Sequence, residues 1–515
     1  MIYQPLFSGI SRKSREQAAV IFAAKPNFFA ETLLIEAVLK KLRKTYPTHY
    51  VALQTPKIKT LIFPRVLQRG KRDKGNLLLI LRGLESLISA FQSIIRELPG
   101  LAQRGIREGF LKSLFGIRFG KVKIGDCVFS TYLRFEGDVL RFNWRLVKVL
   151  AKTFYELAYL KQALEERIRS YPQARKYFLL TETTYIDEAF RRLLLGKGFL
   201  EIIQSPRNGR LAALPERPWG YQLVKNLHYP PKSGMISPRK RVSEIHRYAT
   251  GAGNYDYMLQ KKITTNIKLQ HPFLVGEKIA VLFLHLVSDA QYLFGPSCFL
   301  DLHDWLCRSV EICRNEGIML LLKCHPNAAR AGSLYPLEGS YLNRISRKFG
   351  MPAQVPPDGV IPSKVAGVYF IHPSLSTQTL VRNFPGILFL THHGTIATEA
   401  AYFNHVCLCS SASPYPKNAK FLFQFRNISE YRSLVRRWKN NQLRLPRDAQ
   451  RELLAWLGQR RNYTELKNNY FHLLLESISR KWSPYRAAAD SDAIQIQCRN
   501  KKTQQRLVQK LVKAL

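Results

Sequence analysis

Acidic residues are scarce in this sequence: 36 Asp and Glu stand against 80 Lys and Arg in 515 residues, a formal charge of +44. A surplus of that size repels itself unless it faces something anionic, which leaves nucleic acid, an anionic lipid leaflet or phosphorylated small molecules as partner classes. Basic residues occur throughout, including 69–73, 103–123, 145–177 and 236–247, which argues against a compact basic arm. Long apolar runs are missing as well. No window holds the roughly 18 to 20 apolar residues that span a bilayer, and the first thirty residues do not show a basic stretch, an apolar core and a small-residue cleavage site in succession. The protein is therefore expected to be cytoplasmic, with any membrane contact peripheral and at the inner face. Cysteine is sparse, eight in all and with no C-x-x-C pair, which reads as reduced thiols rather than a disulfide framework. A zinc set drawn from His303, Cys307, Cys313 and Cys324 lacks paired spacing and falls among apolar positions, so core packing is the expectation and no metal is expected.

What is present is the composition of a folded protein, 46% hydrophobic and 23% charged, at a length where one core stops growing and two domains become the natural expectation. The run Ala18–Ala23 reads as a strand, Glu31–Leu42 as a helix and Tyr50–Leu53 as a second strand, the opening of a parallel sheet covered by helices. Residues 76–98 carry Leu and Ile at helical spacing, with Pro99-Gly100 as a stop signal. Tyr177–Leu180, Ile186–Leu195 and Gly198–Ile203 repeat strand, helix and strand. Between about 205 and 275 prolines interrupt a stretch of aromatic and basic residues, read as a linker with bridging helices. A second α/β series begins at Lys278–His285, a run suited to a strand buried on both faces. It continues through helix 300–316, strand Ile318–Leu322, strands Val368–Ile371, Ile387–Leu390 and His405–Cys409, and helix Thr395–Phe403. The expected division is 1–215, an acceptor-side α/β domain; 216–274, the linker; 275–430, a nucleotide-donor α/β domain; and 431–515, a basic helical segment. That segment ends in an amphipathic helix over 499–515.

Three stretches carry candidate chemistry, each where a strand of the second series ends. In Phe389–Ala401 a strand gives way to a glycine, Gly394, and to Thr395 at a helix start, an arrangement that binds phosphate. Glu399 lies four residues further on, about one turn deeper, and either faces the same cleft, where a carboxylate suits a sugar or ribose diol, or is merely solvated. His392 and His393 either help bind a leaving phosphate or are exposed hydrogen-bonders. In Leu322–Asn327, His325 is held extended by Pro326 and Lys323 adds positive charge, so the loop can bracket a phosphate. In Leu284–Ala290, Ser288 and Asp289 stand at the same edge, with Asp289 either a substrate contact or a turn cap.

The order Ser-Asp-Ala, a tryptophan-bearing helix, Lys-x-His-Pro-Asn, His372-Pro-Ser-Leu-Ser376 and Thr391-x-x-Gly-Thr-x-x-x-Glu-Ala400 resembles the capsule polysaccharide biosynthesis family. That family is related to the GT-B transferases for Kdo and similar sugars. Ile124–Arg134 resembles the family's segment before the acceptor cleft, so the likeness spans roughly residues 120–415. The resemblance implies a GT-B fold, two Rossmann-like α/β domains facing a cleft. It further implies a nucleotide-sugar donor with its phosphates near His325 and Thr395 and its ribose near Glu399, and a polysaccharide or lipid-linked glycan acceptor against the first domain. The pattern departs at His393 and Ser130, where family members carry arginine and aspartate. Asp126 and Asp289 are then the candidates for a catalytic base.

The resulting expectation is a metal- and cofactor-independent glycosyltransferase acting on capsular or other surface polysaccharide. The alternative on the same scaffold is a nucleotide-sugar epimerase or a polyol-phosphate transferase, which use similar helix-terminus phosphate sites. An anionic membrane surface accounts for the charge, each basic side chain near it contributing about 1 kcal/mol, and the 499–515 helix either lies in that interface or packs on the first domain. Clustered Lys and Arg also permit a nucleic-acid binder, but no recognition signature accompanies them, so nucleic acid is not expected as a partner.

Overall fold

A computed structural model describes residues 4–5, 19–25, 35–36, 38–40, 42–44, 46–52, 74–180, 185–204, 211–214, 267–273, 276–289, 291–292, 294–328 and 336–456, together with Gln505 and Gln509. The chain divides into two compact units. The first comprises Met1–Phe129, Phe142–Pro218 and Thr464–Leu515; the second comprises Ser130–Arg141 and Trp219–Tyr463. Most of the expected 216–274 linker, and the 499–515 helix apart from Gln505 and Gln509, lie outside the described residues.

In the first unit the strands are β1 (Gln4–Pro5), β2 (Val20–Lys25), β3 (Thr48–Ala52), β6 (Arg175–Leu180), β7 (Leu200–Gln204) and β8 (Leu211–Leu214), with a small ribbon of β4 (Arg118–Phe119) and β5 (Val122–Lys123). The sheet order is β1-β8-β7-β6-β2-β3. β2 pairs in parallel with both β3 and β6, and β6 with β7, while β8 pairs antiparallel with both β7 and β1. Val20 to Ala24 are wholly buried, the signature of a strand covered on both faces. The helices of this unit are α1 (Lys74–Glu108), which packs along α3, α2 (Gly125–Phe135, which runs on into the second unit's residues), and α3 (Trp144–Ser170) and α4 (Tyr185–Gly196), which meet the sheet. The expected stop at Pro99 does not occur: α1 passes through it to Glu108. Proline removes one donor from the ladder, but Leu101 just beyond is buried, and that packing carries the helix onward.

The second unit's sheet contains β9 (Ile279–Phe283), β10 (Met319–Lys323), β11 (Val360–Pro362), β12 (Val368–Ile371), β13 (Leu388–Thr391), β14 (Cys407–Ser410) and β15 (Phe423–Phe425), in the order β11-β12-β10-β9-β13-β14-β15. All neighbours are parallel except the edge strand β11. In chain order the six parallel strands read 3-2-1-4-5-6, the Rossmann order. Alternate residues feed two cores. Ala280, Leu282, Leu320 and Leu322 face a cluster with Trp305, Leu306 and Tyr341, contributed by α5 (Leu302–Asn315) and α6 (Pro336–Phe349). Val281, Leu321 and Phe389 face another with Leu380, Ala397 and Trp456, on the side of α7 (Thr377–Asn383) and α8 (Ile396–Tyr402). α9 (Ile428–Lys439) adds Tyr431 and Val435 to the first cluster. Both units are thus Rossmann-like α/β layers, the architecture that the GT-B resemblance implies. Cys313, Cys407 and Cys409 are core residues; Cys298, Cys307 and Cys324 are partly buried against it.

Candidate functional site

In the second unit the strand order reverses between β9 and β13, and in open α/β sheets ligands bind beyond the carboxyl ends of the strands at that switch point. Register fixes how those ends line up. Lys323 lies beside Phe283 on one side and Ile371 on the other, and Leu390 lies beside Leu282, so β12, β10, β9 and β13 end at the same height. At about 4.8 Å between strands, the four tips span about 14 Å. Each tip then presents a histidine one or two residues on: His372, His325, His285, and His392 with His393.

The β9 and β13 tips interlock. His285 Nε2 accepts the backbone N–H of His392 at 3.2 Å and lies 3.1 Å from the Thr391 hydroxyl. An accepting Nε2 leaves the neutral ring's proton on Nδ1. His393 stacks on His285 with centroids 4.4 Å apart. The Nδ1 atoms of His392 and His393 are 2.8 Å apart, and His392 Nε2 is 3.0 Å from Ser297 Oγ. Gly394 N–H donates to Thr391 Oγ1 at 3.0 Å, while Tyr415 hydroxyl donates to the Gly394 carbonyl at 2.8 Å. A Cβ at Gly394 would fall 2.7 Å from Thr391 Oγ1 and 3.0 Å from His285 Cε1, so no larger residue fits without displacing the ring. Burial drives the basicity of His285 and His392 well below the ordinary histidine range, and the neighbouring histidines add to it. Burial also brings His393 down to about 4, against a smaller opposing pull from Asp289. These rings are neutral near pH 7 and offer hydrogen bonds, not charge.

The β10 and β12 tips repeat one local design. His325 Nδ1 accepts from Asn327 N–H and His372 Nδ1 accepts from Ser374 N–H, both at 3.1 Å. Each ring's Nε2 therefore carries the proton and is a donor. Lys323 is 4% exposed; its ammonium donates to the Pro373 carbonyl and sits 5.4 Å over the Phe283 ring. It ties the two His-Pro loops together and keeps a positive charge beneath them. Pro326 is buried beside His325. His325 is close enough to His285 to depress its basicity.

The remaining candidates are placed as follows. Ser288 is buried, its N–H donating to Glu338 Oε1 at 2.6 Å, and Asp289 is exposed on the same loop. Thr395 occupies the N-cap position of α8, yet its side chain makes no cap bond and is exposed. Glu399 is buried and accepts from Thr377 Oγ1 at 2.5 Å, so its carboxylate is engaged with α7. Asp126 belongs to the first unit, where Arg192 grips both carboxylate oxygens at 2.8 and 2.7 Å. Among the described residues no group of three or more His, Cys, Asp or Glu could hold a metal ion. His285 and Ser297 were not singled out from sequence, and His372 and Thr391 stood in the motifs of the resemblance without an assigned role. The signal available for them was the recurrence of histidine just after four successive parallel strands.

No family model matches the chain, and no curated protein matches it. Among solved structures the chain is similar to the β-Kdo 2,4 transferase KpsC of Thermosulfurimonas dismutans (14% identity, 54% of this chain and 78% of that one, TM-score 0.29). It is also similar to a UDP-forming α,α-trehalose-phosphate synthase of Burkholderia vietnamiensis (10% identity, 94% and 99%, TM-score 0.29). A third is the UDP-GlcNAc 2-epimerase of Methanocaldococcus jannaschii in complex with UDP-GlcNAc and UDP (8% identity, 84% and 97%, TM-score 0.25).

Proposed function

We propose that this protein is a glycosyltransferase that takes a sugar from a nucleotide-sugar donor and passes it to a capsular or other surface glycan, lipid-linked at the inner membrane face. The observation that carries the reading is the alignment of four strand tips at the switch point, each bearing a histidine. The donor diphosphate sits over these tips. The Nε2–H groups of His325 and His372 donate to its oxygens, and Lys323 supplies a buried positive field, which gains strength where water is excluded. As the bond between the sugar C1 and the diphosphate oxygen breaks, its electron pair leaves with the diphosphate. The acceptor hydroxyl oxygen bonds to C1, and its proton passes to a base, for which Asp289 on the β9 loop is the candidate within this unit. Fixed donors thus stabilise the leaving charge without a divalent ion. Glu399, one helical turn beyond Thr395 and held by Thr377, orients the Gly394–Thr395 turn or the donor's ribose.

Calorimetric titration and thermal shift with CMP, UDP, GDP and CDP test this. Binding of at least one is expected, weakened about tenfold or more by His325→Ala, in line with the loss of a charge-assisted hydrogen bond. Nucleotide release that requires acceptor marks transfer; release without it marks epimerisation or hydrolysis. No response to any of the four nucleotides would remove the donor site.

A further inference from the structure

Helix α1 has two apolar faces. One is turned to the body of the first unit: Ser86, Ala90 and Leu101 are buried, and the Ser86 hydroxyl donates to Gln162 of α3 at 2.6 Å. The other carries Leu84, Ile88, Phe91, Ile95 and Leu98 at alternating spacings of four and three, each between 46% and 65% exposed, and continues to Ile106 at 89%. At 1.5 Å per residue this ridge is about 33 Å long. A helix apolar on both faces is not a solvent-facing helix, and an exposed patch of this extent marks an interaction surface.

The ridge's last turn leads to an aromatic group. Phe110 meets Phe142 edge to face, centroids 4.8 Å apart, and Trp144, the first residue of α3, is 77% exposed. Arg107, Arg145 and Lys148 are exposed in the same segments. The residues of the first unit carry 47 Lys and Arg against 20 Asp and Glu. A second copy of so basic a unit is repelled, and the exposed charges beside the ridge, Glu85 and Arg96, are too few to set a partner helix through alternating pairs. An apolar ridge rules out a purely phosphate partner. An anionic bilayer satisfies both features, because aromatic rings settle at the headgroup level while basic side chains meet the negative surface.

We infer that the outer face of α1, with Phe110, Phe142 and Trp144, is the surface through which the protein docks in the plane of an anionic lipid leaflet. This assignment stands apart from the donor site, since vesicle binding and nucleotide binding are read separately in one preparation.

The test is flotation of the full-length protein with vesicles of phosphatidylcholine alone or with one third phosphatidylglycerol. Wild type is expected to float with the anionic vesicles, less so as salt is raised. Phe91→Glu with Ile95→Glu, and separately Trp144→Ala, are expected to lower partitioning at least about tenfold each. Thermal midpoint and nucleotide response should stay unchanged, because all three side chains already face outward. Failure of wild type to float with anionic vesicles overturns the inference, as does flotation indifferent to these substitutions. A wild-type dimer in light scattering that Ile88→Glu converts to monomer overturns it in favour of a second copy. A drop in thermal midpoint in the substituted chains, with flotation retained, overturns it in favour of cover by the chain itself.

Discussion

Residues 1–274 carry 48 basic and 20 acidic side chains, whereas residues 275–430, which build the second sheet and its tips, carry 13 and 10. The region proposed to hold a doubly charged diphosphate is therefore almost neutral overall. Its means of holding an anion are local: proton-bearing Nε2 atoms fixed by backbone hydrogen bonds, and one buried lysine. The basic region instead pairs its charge with an exposed apolar ridge. On the proposed reading, net charge marks where a surface is met, and the histidine-lined tips mark where the donor is held.

The largest expected effect that sharpens this contrast is one of pH. His285, His392 and His393 are neutral in the folded second unit, with basicity depressed chiefly by burial. Unfolded, each takes a proton near pH 6.5. Their contribution to stability is complete above that pH and is lost as pH falls towards about 4, where His393 titrates in the fold. For His393 alone the loss is on the order of 3 kcal/mol. Hydrogen exchange resolved by peptide, followed from pH 7 down to about 4, should show the β9 and β13 tips opening well before β2 and β6. Equal loss in both sheets would contradict the neutral-histidine account. His393→Asn should reduce the dependence of the second unit only, the remainder coming from His285, His392 and His303.

Gly394→Ala comes next. Its Cβ would press on Thr391 Oγ1 and on the His285 ring, a steric misfit that costs about 1 to 3 kcal/mol. Nucleotide response should vanish together with the stacked His285–His393 pair, while vesicle flotation stays as in wild type. If flotation fell as well, the two regions would not be separable functions.

Much of the fold was legible because buried parallel strands are written as short apolar runs: Val368–Ile371 matches its expected span, and β9, β10 and β13 end within two residues of theirs. Helix α1 was misjudged at Pro99 because a local breaker signal was overridden by the packing of Leu101, which only tertiary structure reveals. Within the site, the His-Pro loop and the Gly394 turn could be read from strand ends. The partners that decide roles could not. Nothing in local sequence says that Glu399 turns to Thr377, that Ser288 binds Glu338 or that Asp126 is held by Arg192, since these join residues 22, 50 and 66 apart.

Asp126→Asn discriminates a structural from a catalytic carboxylate in the basic unit. Its paired oxygens and Arg192 are mostly shielded, so loss of the charge should destabilise the α2–α4 region by about 1 to 2 kcal/mol. Nucleotide affinity should be unchanged. Turnover that collapses while stability holds would instead place Asp126 in the chemistry.

The smallest effect separates two helix starts at the same sheet edge. Ser376 Oγ accepts the Thr379 N–H at 3.1 Å and caps α7, whereas Thr395 stands at the start of α8 without a side-chain cap bond. Ser376→Ala should therefore cost about 1 kcal/mol, and Thr395→Ala within about 0.5 kcal/mol of nothing. Because Thr395 is exposed beside Gly394, any drop in nucleotide affinity in Thr395→Ala, with stability unchanged, assigns its hydroxyl to the ligand. If stability and affinity are both unchanged, the Thr395 hydroxyl takes no part in holding the anion.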